Sequence, residues 1–301
     1  MGADSGAVYL HMGGQSANAE DIVVYLASNR AGLRRAGYGL FCFDPAGSGP
    51  DSLAAIMPEP RADETAVAAA AAGLVAQFGP DRRSGGQGFV ISAADLAGPM
   101  TELLLGRFHP NARQRARVLR QALGQNVERL VLVAQPYEEL FHSVWMALAL
   151  DRRIDPFADY AEALANFRGG WAELGEALIE ELELKELVVL SRPASPVEAL
   201  AAILPDVRLR QPVQPLAKPR ITPGAVAMAQ RCMAQGLRLA PGQRDRLVAF
   251  HARQPQITPD LGFSALALSD LRGRYIADID ALSRFGAVKL EGESALSMAA
   301  E

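Results

Sequence analysis

The sequence predicts an α/β fold: a central, mostly parallel sheet flanked by helices, with a helical C-terminal region. Three observations carry this expectation. Short apolar runs alternate with longer stretches of helical periodicity, the pattern of parallel strands covered on both faces by crossover helices. Half of the 301 residues are apolar, so a sizeable core is available. Five prolines (205, 212, 215, 219 and 223) gather between Leu204 and Pro223. They divide the chain into an α/β core over 1–204, an extended connector over 205–223, and a helical part over 224–301 that packs on the same domain.

The elements follow in order. Ala7–His11 reads as a buried strand. Asp21–Ala36 reads as a helix, with Ile22, Leu26 and Leu33 at helical spacing and Gly37 as its stop. Tyr38–Phe43 is a second strand, and Glu64–Phe78 an alanine-rich helix closed by Gly79-Pro80. Phe89–Ser92 is a third strand and Asn111–Leu123 a helix; Leu130–Ala134 is a fourth strand, with a helix over Glu138–Leu150. Tyr160–Ala165 and Trp171–Leu182 are helical, and Leu187–Ser191 is a fifth strand. Beyond the connector, Ala225–Gln235, Gln243–Arg253 and Ser269–Phe285 are helices.

Composition narrows the function classes. No run of 18 apolar residues occurs, so no membrane span is expected, and the N-terminus carries no leader pattern. A net charge of −4 argues against a general nucleic-acid binder. Cys42 and Cys232 are the only cysteines; they build no disulfide framework and fit a reducing cytoplasm. No metal-ligand cluster, nucleophile elbow or dinucleotide glycine fingerprint is present.

One stretch carries chemistry. "YLHMGGQSANAED", residues 9 to 21, has the layout of a phosphate cradle: a strand, two glycines (Gly13 and Gly14), then a helix. It lacks the lysine and the hydroxyls that would hold a phosphate at the positive end of a helix. Glu20 and Asp21 instead bring negative charge to that end. Asn18 and Asp21, three residues apart, form a capping-box pattern. This predicts a self-capped helix over Ala19–Ala36 with Asn18 at its cap; a modified anion site is the alternative.

The same stretch resembles the start of bacterial sulfotransferases, which transfer a sulfuryl group from 3′-phosphoadenosine 5′-phosphosulfate (PAPS). In that family a strand leads into His, an apolar residue, Gly, two variable residues and Lys-Thr-Gly-Thr-Thr-Ser, and the following helix carries "L..N...L...G". Val8-Tyr9-Leu10-His11-Met12-Gly13 is similar to the entry, and Leu26, Asn29, Leu33 and Gly37 to the helix. The register closes without a gap. Gly13, Gly14, Gln15, Ser16, Ala17 and Asn18 therefore take the donor-loop positions, with Ser16 on the lysine. A second segment agrees. The family has an arginine after a strand and a serine eight positions later, which grip the 3′-phosphate. Here Gln135 stands for the arginine and Ser143 for the serine. "FVISAADL", Phe89 to Leu96, resembles the family's "SxE.L" segment, with Ala94 on the glutamate and Asp95 as a substitute base. Leu268 to Gly286 resembles the closing helix. The likeness covers roughly residues 7–195 and 265–290 and implies a sulfotransferase-like, P-loop-type fold.

Functional expectations follow from the likeness and its gaps. Lost charge-assisted contacts cost about 1.5–3 kcal/mol each, so a lysine and an arginine together cost roughly 3–6 kcal/mol, about two to four decades in affinity. The expectation is a degenerate PAPS site in a non-catalytic or repurposed protein, linked to a carbohydrate or another anionic small molecule. The alternative is an active PAPS-dependent transferase with atypical contacts. Residues that could rescue chemistry are His11 at the end of the first strand, Asp95, and His142 beside Ser143. Arg30, Arg34 and Arg35 lie a helix length from the loop. Arg113, Arg117 and Arg120 share one helix face, a solvated face or an anion-binding wall. Trp145 and Trp171 read as core before sugar platforms.

Overall fold

The computed structural model describes residues 6–13, 17–43, 53–191, 194–209, 219–256 and 261–292. Six strands form one sheet: β1 (Ala7–Met12), β2 (Tyr38–Cys42), β3 (Gly88–Ser92), β4 (Arg129–Val133), β5 (Glu186–Leu190) and β6 (Val288–Glu291). Their order is β2-β3-β1-β4-β5-β6, and every neighbouring pair is parallel. The α/β class is as expected, with a sheet that is parallel throughout.

Thirteen α-helices connect the strands among the described residues: α1 (Ala17–Ser28), α2 (Arg30–Arg35), α3 (Leu53–Ile56), α4 (Glu64–Arg82), α5 (Met100–Leu104), α6 (Ala112–Leu123), α7 (Tyr137–Asp151), α8 (Ala161–Ala165), α9 (Trp171–Leu182), α10 (Pro196–Ile203), α11 (Pro223–Ala234), α12 (Pro241–His251) and α13 (Ala265–Ser283). A 3₁₀ turn, Phe157–Tyr160, precedes α8.

The strands alternate side chains between two apolar layers. Leu130 and Leu132 join one core cluster with residues of α4, α6, α9 and α13. Val131 and Val133 join the other with residues of α1, α2 and α10. Burial on both faces is why these strands read as unbroken apolar runs.

Three expectations change here. The helix after β1 is two helices, broken at Asn29, whose amide donates to the Tyr25 carbonyl at 2.9 Å. A side chain that competes for backbone carbonyls disfavours an uninterrupted helix. Next, α1 begins at Ala17, so Asn18 lies inside the first turn and is not the cap. The position before it, Ser16, lies outside the described residues. Finally, the C-terminal part is not helical alone, because β6 extends the sheet beside β5.

The helix α7 leaves the C-terminal end of β4 and packs on α5, α11 and α13. A buried knot fixes it there. The Tyr137 hydroxyl donates to the Asp278 carboxylate of α13. The Trp171 N–H at the start of α9 meets the Tyr137 oxygen at 2.8 Å and the Asp278 carboxylate at 3.0 Å. A carboxylate at a helix N-terminus satisfies an amide that has no partner within the helix. Among the described residues, no helix is long and apolar enough to cross a membrane.

Candidate functional site

In open parallel sheets, ligands bind beyond the C-terminal ends of the strands, where the connections diverge. In this sheet β1 is that place: its connection runs to β2 on one side, whereas the connection of its neighbour β4 runs to β5 on the other. The residues that end β1, β3 and β4 therefore define the candidate site.

His11, opposite Ser92 of β3 and Val131 of β4, is 1% exposed. Its Nδ1 lies 2.9 Å from Ser92 Oγ, and its Nε2 is buried with no hydrogen-bond partner. Either tautomer leaves Nε2 unsatisfied. Burial pushes the imidazole down to about 4, so it is neutral near pH 7.

Gln135 follows β4 and is also buried. Its backbone carbonyl accepts from Trp171 Nε1 at 3.0 Å, and its side-chain Nε2 has no partner. Glu138, in the first turn of α7, accepts from Arg272 Nε at 2.8 Å through one oxygen; its other oxygen is buried without a partner. Burial, then the neighbouring Glu138, raise the Glu139 carboxyl. Ser143 lies two turns into α7 and spends its hydroxyl on the Glu139 carbonyl at 2.7 Å. The strand ends thus hold a neutral imidazole, a neutral amide and an acidic pair, and the adjacent Arg272 is engaged by Glu138.

Of the donor-loop positions, Gly13 is buried directly after β1. Gly14, Gln15 and Ser16 lie outside the described residues. Ala17 and Asn18 belong to the first turn of α1, and their side chains lie outside the description.

Asp95 is in the loop after β3; burial raises its carboxyl, Arg115 opposes that shift, and Oδ1 has no partner. His142 stacks on Trp145 with ring centres 6.1 Å apart, and burial lowers its imidazole. Trp171 is core, and Trp145 is half-buried with its Nε1 donating to the Asp155 carbonyl at 3.0 Å. Arg113, Arg117 and Arg120 form a ladder with the α9 side: Arg113 meets Glu180, Arg117 meets Glu181 at 3.1 Å, and Arg120 meets Glu183 at 3.0 Å. They join α6 to α9 and build no anion-binding wall. Arg30 is tied to the Leu40 carbonyl at 2.6 Å and to Asp81 at 2.7 Å.

Sequence reading missed Arg115 and His109. Arg115 is buried, and donates to the carbonyls of Leu96 (2.6 Å) and Asp95 (2.9 Å), pinning the loop after β3. Burial, then Arg115, push His109 down to about 3. The signal was present: Arg115 stands on the α6 face that carries Ala112, Ala116 and Leu119, where a charge needs partners. Among the described residues, no group of three or more His, Cys, Asp or Glu is placed to hold a metal ion.

Comparison with protein-family models, with curated proteins and with solved structures returns no match for the chain.

Proposed function

We propose that this chain is a sulfotransferase-like protein with a degenerate PAPS site, one that binds a ligand in place of transferring a sulfuryl group. The proposal includes a cytoplasmic location, taken from the two cysteines that build no disulfide framework, and a carbohydrate or another anionic small molecule as ligand, taken from the family likeness. One observation carries the reading. Where the likeness needs an arginine on the 3′-phosphate, Gln135 is 3% exposed and uncharged, with its side-chain nitrogen unsatisfied. Ser143, the second half of that grip, has its hydroxyl bound to its own helix. Glu138 and Glu139 lie three and four residues beyond Gln135, so the local charge opposes a nucleotide bisphosphate.

The competing reading is an active PAPS-dependent transferase with atypical contacts. It draws on His11, a neutral imidazole at the end of β1 whose Nε2 has no partner, although a value of about 4 makes it a weak base at pH 7.

Calorimetry with 3′-phosphoadenosine 5′-phosphate separates the two. The wild type is expected to give no heat at millimolar ligand. The variant Ser16→Lys, Asn18→Gly, Glu20→Thr, Gln135→Arg restores the charge and the close backbone approach. It is expected to gain roughly two to four decades in affinity. Tight binding by the wild type would favour the active enzyme. Silence from both proteins would remove the sulfotransferase likeness as a guide to function.

A further inference from the structure

The helices α11 and α12 form an antiparallel hairpin, since a Cβ placed on Gly224 at the start of α11 would lie 2.8 Å from His251 Nδ1 at the end of α12. The hairpin's inner side is anchored to the end of α7. The Gln230 amide donates to the Arg152 carbonyl at 2.7 Å and accepts from the Ile154 N–H at 3.3 Å. Arg244 pairs with Asp151. The outer side faces solvent.

Charge is unevenly divided between this hairpin and the rest of the chain. Residues 219–256 hold six arginines, one acid (Asp245), and no lysine or glutamate. The segment is therefore five positive within a chain of net charge −4, leaving −9 for the remainder. Arg220, Arg231, Arg238, Arg246 and Arg253 are all exposed. None of the five has an ion-pair partner among the described residues, in contrast to the paired arginines of α6. Large apolar side chains are interleaved with them: Met228 is 39% exposed, Leu237 57% and Phe250 60%. Met228 and Arg231 are three apart on α11, and Arg246 and Phe250 four apart on α12, so each pair shares a helix face.

We infer that the outer face of the α11–α12 hairpin docks an acidic protein segment that carries apolar side chains between its carboxylates. Arginine, methionine and aromatic residues with few acids and no lysine are the composition of a protein–protein contact. The positive field would steer an acidic partner and set its register. Nucleic-acid phosphates would satisfy the arginines and a base could stack on Phe250, but Met228 and Leu237 would be left without contacts. A lipid surface needs a continuous apolar helix face, and α12 exposes Gln243, Asp245 and Arg246 along with Phe250.

The test uses the full chain, with poly-L-glutamate and a random glutamate–tyrosine copolymer as probes, followed by fluorescence anisotropy at low and physiological salt. Both probes should bind at low salt and weaken as salt screens the charges, with the copolymer binding more tightly. The variant Arg231→Glu, Arg238→Glu, Arg246→Glu should lose about tenfold or more for both probes with an unchanged melting curve, because these side chains are exposed. Phe250→Ser should remove the copolymer's advantage and leave poly-L-glutamate binding as it was. The inference is overturned if the wild type binds neither probe, if the charge-reversed variant binds equally well, or if the copolymer has no advantage. Tighter binding to polyuridylate or to phosphatidylserine vesicles than to the copolymer would also overturn it.

Discussion

Acidification should destabilise this protein through His11. Burial holds its imidazole at about 4 in the folded chain, against roughly 6.5 in an unfolded one. The folded value is the lower of the two, so the unfolded chain takes up the proton first as pH falls. Stability is therefore complete above about 6.5 and declines toward about 4. For this single group the loss is about 2 kcal/mol at pH 5, rising to about 3 kcal/mol once both states are protonated. The comparison protein is His11→Asn, in which the side chain keeps a polar atom near the Nδ1 position for Ser92 but does not titrate. Urea unfolding at about pH 7.5, 6 and 5 measures the difference. His109, pushed down to about 3 by burial and by Arg115, acts in the same direction in both proteins and cancels in the comparison. The wild type should lose about 2 kcal/mol more than the variant on going to pH 5. Equal losses, or a ring-nitrogen NMR titration of His11 centred near its ordinary value, would refute the reasoning.

Two further outcomes concern the buried polar groups. Gln135→Leu removes an amide nitrogen that has no partner; an unsatisfied buried donor costs about 1–3 kcal/mol, so the variant should match or exceed the wild type in urea, and a clear loss of stability would mean that the amide is bonded. Tyr137→Phe deprives the Asp278 carboxylate of one of its two donors, leaving the Trp171 N–H, and should cost about 1.5–3 kcal/mol; in a double-mutant cycle with Asp278→Asn the two losses should fall well short of additive, whereas strict additivity would show that the groups do not act as a unit.

Much of the fold was legible because β4 and β5 are apolar on both faces, and because α9 begins at Trp171 and ends at Leu182 as its periodicity predicts. The omissions have physical causes. β6 is four residues with an exposed charge at Lys289, too short and too polar at the sheet edge to read as a strand. α10 depends on a capping box, in which the Ser195 hydroxyl accepts from the Glu198 N–H at 3.2 Å and Glu198 accepts from the Ser195 N–H at 2.7 Å; it is only eight residues long and its cap lies between Pro193 and Pro196, so the stretch from 192 to 203 carries no expected element. The candidate site was legible as positions and not as chemistry. The partners of His11 and of the Gln135 carbonyl, Ser92 and Trp171, arrive from distant parts of the chain, whereas Ser143 spends its hydroxyl locally on the Glu139 carbonyl. Arg115 was obscured by its neighbours Arg113 and Arg117, which face the opposite way.

The knot at Tyr137 has a consequence for how the chain acquires its shape during synthesis. Asp278 is 141 residues beyond Tyr137 and 107 beyond Trp171. A nascent chain that has emerged as far as α12 has every residue of the first five strands, yet the Trp171 N–H at the start of α9 has only the Tyr137 oxygen to meet, and the Tyr137 hydroxyl lacks its acceptor. β5 is likewise a sheet edge until β6 is made. The α/β part ahead of the proline-rich segment is thus not an autonomous unit: its last closing bonds are supplied from behind that segment. The intermediate on the ribosome exposes apolar surface for as long as α13 takes to emerge, the interval in which such chains are most open to aggregation. Truncation within 224–264 would make that interval permanent.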